Sequence, residues 1–187
     1  MDDAIVENML AGYAFVDGLL GRKVDLFSVA QLRCFLELNA IVLCGLDPKV
    51  RAESARHLAA TEKHFYDEKD GGVRDIIEWY AMHASESAWK RAAGVYIRVL
   101  SEPELFIEGN HRTGALIMSY VLAREGFPPF VLTVDNAKAY FDPSTLITKK
   151  KKKSLTLLLE MPRLKREFAA FLMSQENPKY LLPKARA

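Results

Sequence analysis

Two cysteines, Cys34 and Cys44, are all that the 187-residue chain contains, and both sit among apolar neighbours. A disulfide scaffold needs more, and a metal site needs further ligands beside them, so they read as reduced, buried thiols. No uninterrupted apolar stretch approaches the roughly 20 residues that a membrane-spanning helix requires. The opening Met1-Asp2-Asp3 is acidic where a secretion signal is basic, which points to a cytoplasmic protein. Neither sign of charge dominates: 26 Lys and Arg oppose 24 Asp and Glu, a net charge of +2 that neither demands nor forbids a polyanionic partner. Alternating strand-like patterns are scarce, no internal repeat occurs, and no Pro-, Gly- or Ser-rich linker divides the chain. One domain over residues 1–187 follows.

Half of the residues are hydrophobic, and they recur at helical spacing almost throughout, which predicts an all-α fold. A first helix is expected over Ala4 to Leu20, broken at Gly18 and Gly21. Ser28 with Gln31 reads as a capping box starting a helix that turns Leu32, Phe35, Leu36, Ala40 and Leu43 inward. Gly45 stops it, and Asp47-Pro48 opens the next. The polar Glu62–Gly72 segment reads as a loop or short hairpin. Further helices are expected over Val73 to His83, from Ser85 or Ser87 to Leu100, from Arg112 to Ala123, and from a Ser154 cap to about Met173. Residues Phe130 to Pro143 are mixed.

The stretch Phe106-Ile107-Glu108-Gly109-Asn110-His111-Arg112-Thr113-Gly114 carries the chemistry. Gly109 and Asn110 both tolerate left-handed backbone and together can gather successive N–H groups into a concave nest. The nest lies where a buried helix begins, so free N–H groups and the helix dipole both favour an anion. Arg112 adds a charged fork that matches phosphate oxygens. Glu108 adds a carboxylate able to hold a magnesium ion that bridges phosphates.

These residues resemble the signature of the Fic/Doc family, His-x-Phe-x-(Asp or Glu)-Gly-Asn-x-Arg, with Phe106, Glu108, Gly109, Asn110 and Arg112 in register. The similarity extends over about residues 26–171 and implies a Fic-type helical bundle, with Glu62–Gly72 at the place of the family's target-binding flap. Family members typically transfer AMP from ATP to a hydroxyl of a target protein. The resemblance implies that Phe106 anchors the loop, Glu108 holds Mg2+, and Gly109, Asn110 and the N–H of His111 form the anion hole. Arg112 would contact a phosphate.

The signature histidine falls on Glu104. A glutamate titrating near ~4.3 is a weaker general base than an imidazole near ~6.5, and loss of a general base typically removes ~10² to 10⁴ in rate. A carboxylate there also repels phosphate. His111 stands where the family has glycine or lysine, and Ala115 where a second arginine would fall. His111, on the far side of the Gly-Asn turn, would have to point back across the loop to act as base. No Ser/Thr-x-x-x-Glu-Gly/Asn inhibitory pattern is found.

Three readings stay open. The preferred one is a degenerate Fic-fold protein that keeps a nucleotide- or phosphate-binding loop, with weak or no adenylylation and a target or regulatory protein as partner. The second is an active enzyme transferring AMP or another phosphate-containing group through Glu104 or His111. The third is a helical protein-interaction domain. The five lysines Lys149–Lys153 read as a solvated cluster rather than a nucleic-acid surface, since no aromatic residue interleaves them. His57 and His64 share a helix face without a third metal ligand.

Overall fold

The computed structural model describes residues 3–67, 72–148 and 155–181. Among them helices and turns are the only regular structure, so the all-α expectation holds. None of these helices is long and apolar enough to cross a membrane. The order is α1 (Asp3–Gly21), α2 (Arg33–Cys44), α3 (Pro48–Glu53), α4 (Ala55–Phe65), α5 (Gly72–Met82), α6 (Ala88–Leu100), α7 (Asn110–Arg124), α8 (Val134–Thr148) and α9 (Leu155–Ser174). Short 3₁₀ turns lie at Val29–Gln31 and Pro178–Tyr180.

Several boundaries follow from local chemistry. Asp47 accepts from the Lys49 N–H at 2.8 Å and Pro48 occupies the first turn of α3. Gly45 ends α2 with φ of 65°, its N–H donating to the Ile41 carbonyl at 2.8 Å. Ser87, rather than Ser85, caps α6. Other expectations are corrected. α1 runs through Gly18, because Val16 and Leu19 bury on either side of it and packing outweighs a glycine penalty of about 1 kcal/mol. It ends where Lys23 turns left-handed, with the Val24 N–H reaching the Leu19 carbonyl and the Lys23 N–H reaching Leu20.

Ser28 makes no cap. Its neighbourhood is a 3₁₀ turn, and α2 begins only at Arg33. The chain before it is held instead by Tyr120, whose hydroxyl accepts from the Leu26 N–H and donates to the Val24 carbonyl. In α2, Phe35 and Ala40 are buried as expected, but Leu32, Leu36 and Leu43 are half-buried, while Leu38, Asn39, Ile41 and Val42 go inside. The helix is covered from two sides, by α1 and by α7. Glu62 to Phe65 is not a loop or hairpin but the last turn of α4. Phe65 is fully buried against Phe35 and Phe106, at 6.2 and 5.7 Å between centroids, and that packing extends the helix. The mixed Phe130–Pro143 stretch holds the start of α8, where Thr133 and Asn136 bond each other's backbone N–H reciprocally. Residues 68–71, the Lys149–Lys153 run and the Ser154 cap lie outside the described residues.

α6 and α7 form the centre. From Thr113 to Leu122 every residue of α7 is buried, and α6 is buried along nearly its whole length. Close approach depends on small residues. A Cβ on Gly114 would stand 2.8 Å from the Tyr96 ring, and one on Gly94 only 2.0 Å from the Trp79 ring. Around Trp79, Lys165 of α9 is only 8% exposed and bonds both oxygens of Glu86 at 2.7 Å. Arg98 pairs with Asp75, tying α5 to α6. Both tryptophans are packing residues, Trp89 lying 5.1 Å from Phe127.

Gly94→Ala should therefore lower thermal stability. Overpacking of this kind costs about 1–3 kcal/mol, a fall in Tm of roughly 2–10 °C for a chain of this size. A melting curve indistinguishable from the native protein's would contradict the packing described.

Candidate functional site

The loop between α6 and α7 is held from within. Ser101 is buried and its hydroxyl donates back to the Ile97 carbonyl at 2.7 Å, while the Leu105 N–H reaches the Val99 carbonyl. Phe106, 1% exposed, stacks on Phe65 of α4 and anchors the loop in the core. Burying a phenylalanine of this kind is worth about 1.5–3 kcal/mol.

Asn110 is the hub. Its Oδ1 accepts from the Phe106 N–H at 2.9 Å, and its Nδ2 donates to the Phe106 carbonyl and to Glu104 Oε2, both at 2.7 Å. Asn110 is not part of a left-handed pair. Gly109 alone has positive φ, at 76°, and α7 begins at Asn110 rather than Arg112. The side chain explains this, because closing three bonds on Glu104 and Phe106 is compatible with Asn110 as the first helical residue. The first intrahelical bond runs from the Thr113 N–H to the Gly109 carbonyl at 2.9 Å. The N–H groups of Asn110, His111 and Arg112 therefore stand outside the helix ladder at its positive end.

The remaining residues take separate positions. Glu108 has an exposed side chain, and its carbonyl accepts from Asn39 Nδ2 at 2.9 Å. Arg112 is half-buried and spends Nη1 on the Val42 carbonyl of α2 at 3.1 Å; among the described residues no carboxylate pairs with it. Glu104 is half-buried, and besides its bond to Asn110 its carbonyl receives His64 Nε2 at 2.8 Å. His111 is turned toward α6 and α8: Nδ1 lies 3.1 Å from the Tyr96 hydroxyl, the Tyr140 hydroxyl donates to its carbonyl at 2.9 Å, and Phe141 meets the ring edge-on. Those partners differ from Glu104's, so the geometry gives no support to His111 as a base reaching across the turn.

Glu108 is the metal candidate. Among the described residues no three His, Cys, Asp or Glu side chains gather into a metal-binding group. A lone exposed carboxylate does fit Mg2+, which keeps several waters and takes its other ligands from phosphate oxygens. Two residues at the loop are not singled out by the sequence reasoning. His64, considered there only for zinc, holds the Glu104 backbone. Asn39 escapes because its helix reads as an apolar stripe, although an asparagine amid Leu38, Ala40, Ile41 and Val42 is itself a signal of a buried polar contact.

Burial pushes the His111 imidazole below its ordinary value of 6.5. The unfolded chain takes up this proton first as pH falls through about 6.5, so stability drops with acidification across that range. A proton-detected titration should place the His111 midpoint below 6.5, and His111→Phe should flatten the fall in Tm between about pH 7 and 5. A midpoint at or above 6.5 would contradict the burial described.

The chain is similar to a protein adenylyltransferase, fic-1, of Caenorhabditis elegans, with 26% identity over 133 residues, covering 66% of this chain and 24% of that protein. It is also similar to protein adenylyltransferase fic-1 of Caenorhabditis briggsae, with 31% identity over 72 residues, 37% of this chain and 14% of that protein. The chain thus spans a quarter or less of the length of these curated relatives. No family model and no solved structure matches it. Its similarity lies with protein adenylyltransferases of the Fic type.

Proposed function

We propose that this chain is a Fic-type domain that binds the phosphates of a nucleotide at the Glu108–Arg112 loop and transfers AMP weakly or not at all. The observation that carries the reading is the bond between Glu104 Oε2 and Asn110 Nδ2 at 2.7 Å. At the position where the family's base is expected, the chain has an acceptor committed to holding the loop.

The chain's own groups divide the work. The N–H groups of Gly109, Asn110 and His111 receive phosphate oxygens at the positive end of α7. Arg112 keeps most of its five donors for a phosphate while one anchors it to α2. Glu108 holds Mg2+, which when bound neutralises phosphate charge. Glu104 is a poor acceptor for a hydroxyl proton at neutral pH and adds negative charge beside the phosphates. A target or regulatory protein in the cytoplasm is the partner this reading expects.

Calorimetric titration with ATP and Mg2+ tests it. The native protein should bind, Arg112→Ala should weaken binding by about 10-fold or more, and AMP transfer by the native protein should be weak or undetectable. Glu104→His should raise transfer by ~10²-fold or more. Failure of both the native protein and Glu104→His to bind any nucleotide would overturn the reading. Transfer by the native protein that falls in Glu104→Ala would replace it with an active enzyme using Glu104.

A further inference from the structure

We propose that Asn39 is a positioning residue that aims the phosphate loop, an inference that rests on the loop's proposed role in binding a nucleotide. Asn39 is 1% exposed and lies on α2 between apolar residues that are buried with it. Its Nδ2 donates to the Glu108 carbonyl at 2.9 Å and to Thr113 Oγ1 at 3.1 Å. Thr113 in turn closes the first helical bond onto Gly109. One amide from a neighbouring helix therefore grips both ends of the Gly109 turn.

The peptide geometry turns that grip into an orientation. In a planar trans peptide the C=O and the following N–H point in opposite directions. Drawing the Glu108 carbonyl onto Asn39, inside the protein, sends the Gly109 N–H the other way, toward the face where phosphate would bind. The same bond fixes the backbone of Glu108, whose carboxylate is exposed. Gly109 permits the approach: a Cβ there would lie 3.1 Å from Asn39 Nδ2.

The other half of the amide is informative. Asn39 Oδ1 is buried and has no hydrogen-bond partner. An unpaired buried acceptor destabilises the fold, and an apolar side chain of similar volume would avoid it. The position thus uses an amide for its donors, at the expense of an unsatisfied acceptor. A side chain serving only to fill the core has no need of either.

Asn39→Leu separates these roles. Binding of ATP with Mg2+, measured by calorimetry, should weaken about 10-fold, as expected for loss of a hydrogen bond and of the loop orientation it sets. The melting temperature should stay within a few degrees of the native value or rise, the opposite of a purely structural residue. In the ligand-free protein, the Gly109 and Asn110 amides should shift and exchange faster with solvent, while amides inside α6 stay protected. Thr113→Val, which leaves the bond to Glu108 intact, should bind nearly as the native protein does. Unchanged Gly109 and Asn110 amides in Asn39→Leu would overturn the inference, and so would native-like nucleotide binding by that variant. If the native protein binds no nucleotide, the functional reading fails, and the ligand-free amide measurement still decides whether Asn39 sets the loop. Should Asn39→Leu not fold, Asn39→Ser is read by the same amide and binding measurements with the same expected results.

Discussion

Gly114 brings α7 directly against the Tyr96 ring of α6, and the arrangement of the other helices depends on that contact. Tyr96 is fully buried and stacks on Phe168 of α9 at 5.0 Å, so the same ring joins three helices. With Thr113 to Leu122 enclosed, α7 has no freedom to slide or rotate. Its N-terminus is consequently fixed in space. A loop whose groups must meet a ligand within fractions of an ångström is best carried on such an element. The dense core behind the loop fixes where it starts, and the bonds of Asn110 and Asn39 fix its shape.

The loop is also unusual in its charge balance. Glu104 and Glu108 place two carboxylates on a segment whose backbone geometry favours anions, with Arg112 as the one arginine or lysine between Glu104 and Gly114. Asn110 reconciles part of this by donating to Glu104, which directs that carboxylate onto the loop rather than into open space. His64 adds a bond to the Glu104 backbone from α4. Glu104 is thus woven into the loop's framework from two sides.

Much of the fold was legible because short-range chemistry decides it. Asp47-Pro48, Gly45 and Ser87 mark helix ends through bonds made within three or four residues. Gly109 is legible for a similar reason, as a glycine at the mouth of an apolar helix, whereas the anchoring role of Phe106 follows from the resemblance to the Fic/Doc signature. The misreadings share a different cause. Gly18, Glu62–Phe65 and Ser28 each have local preferences that distant packing overrides, through Leu19, Phe65 and Tyr120 respectively. Asn110 has the backbone tolerance of a turn residue, but its side chain, bonded to residues four and six positions earlier, settles its conformation. Asn39 stands out only as a polar residue in an apolar stripe, and its partners, 69 and 74 residues away, are not legible in the sequence.

Gly109 has a consequence for how this sequence can change. Two unrelated demands meet at that residue: a left-handed backbone at φ of 76°, and Asn39, Leu43 and Val42 packed within 3.1 to 3.4 Å of any Cβ. Shrinking Asn39 would relieve only part of the crowding, since Leu43 and Val42 remain, and would leave the dihedral unchanged, while asparagine or aspartate at 109 would ease the dihedral but not the crowding. Each single step toward a different residue is therefore unfavourable on its own, and the two effects are coupled rather than additive. Any side chain at 109 needs room from α2, a helix far earlier in the chain.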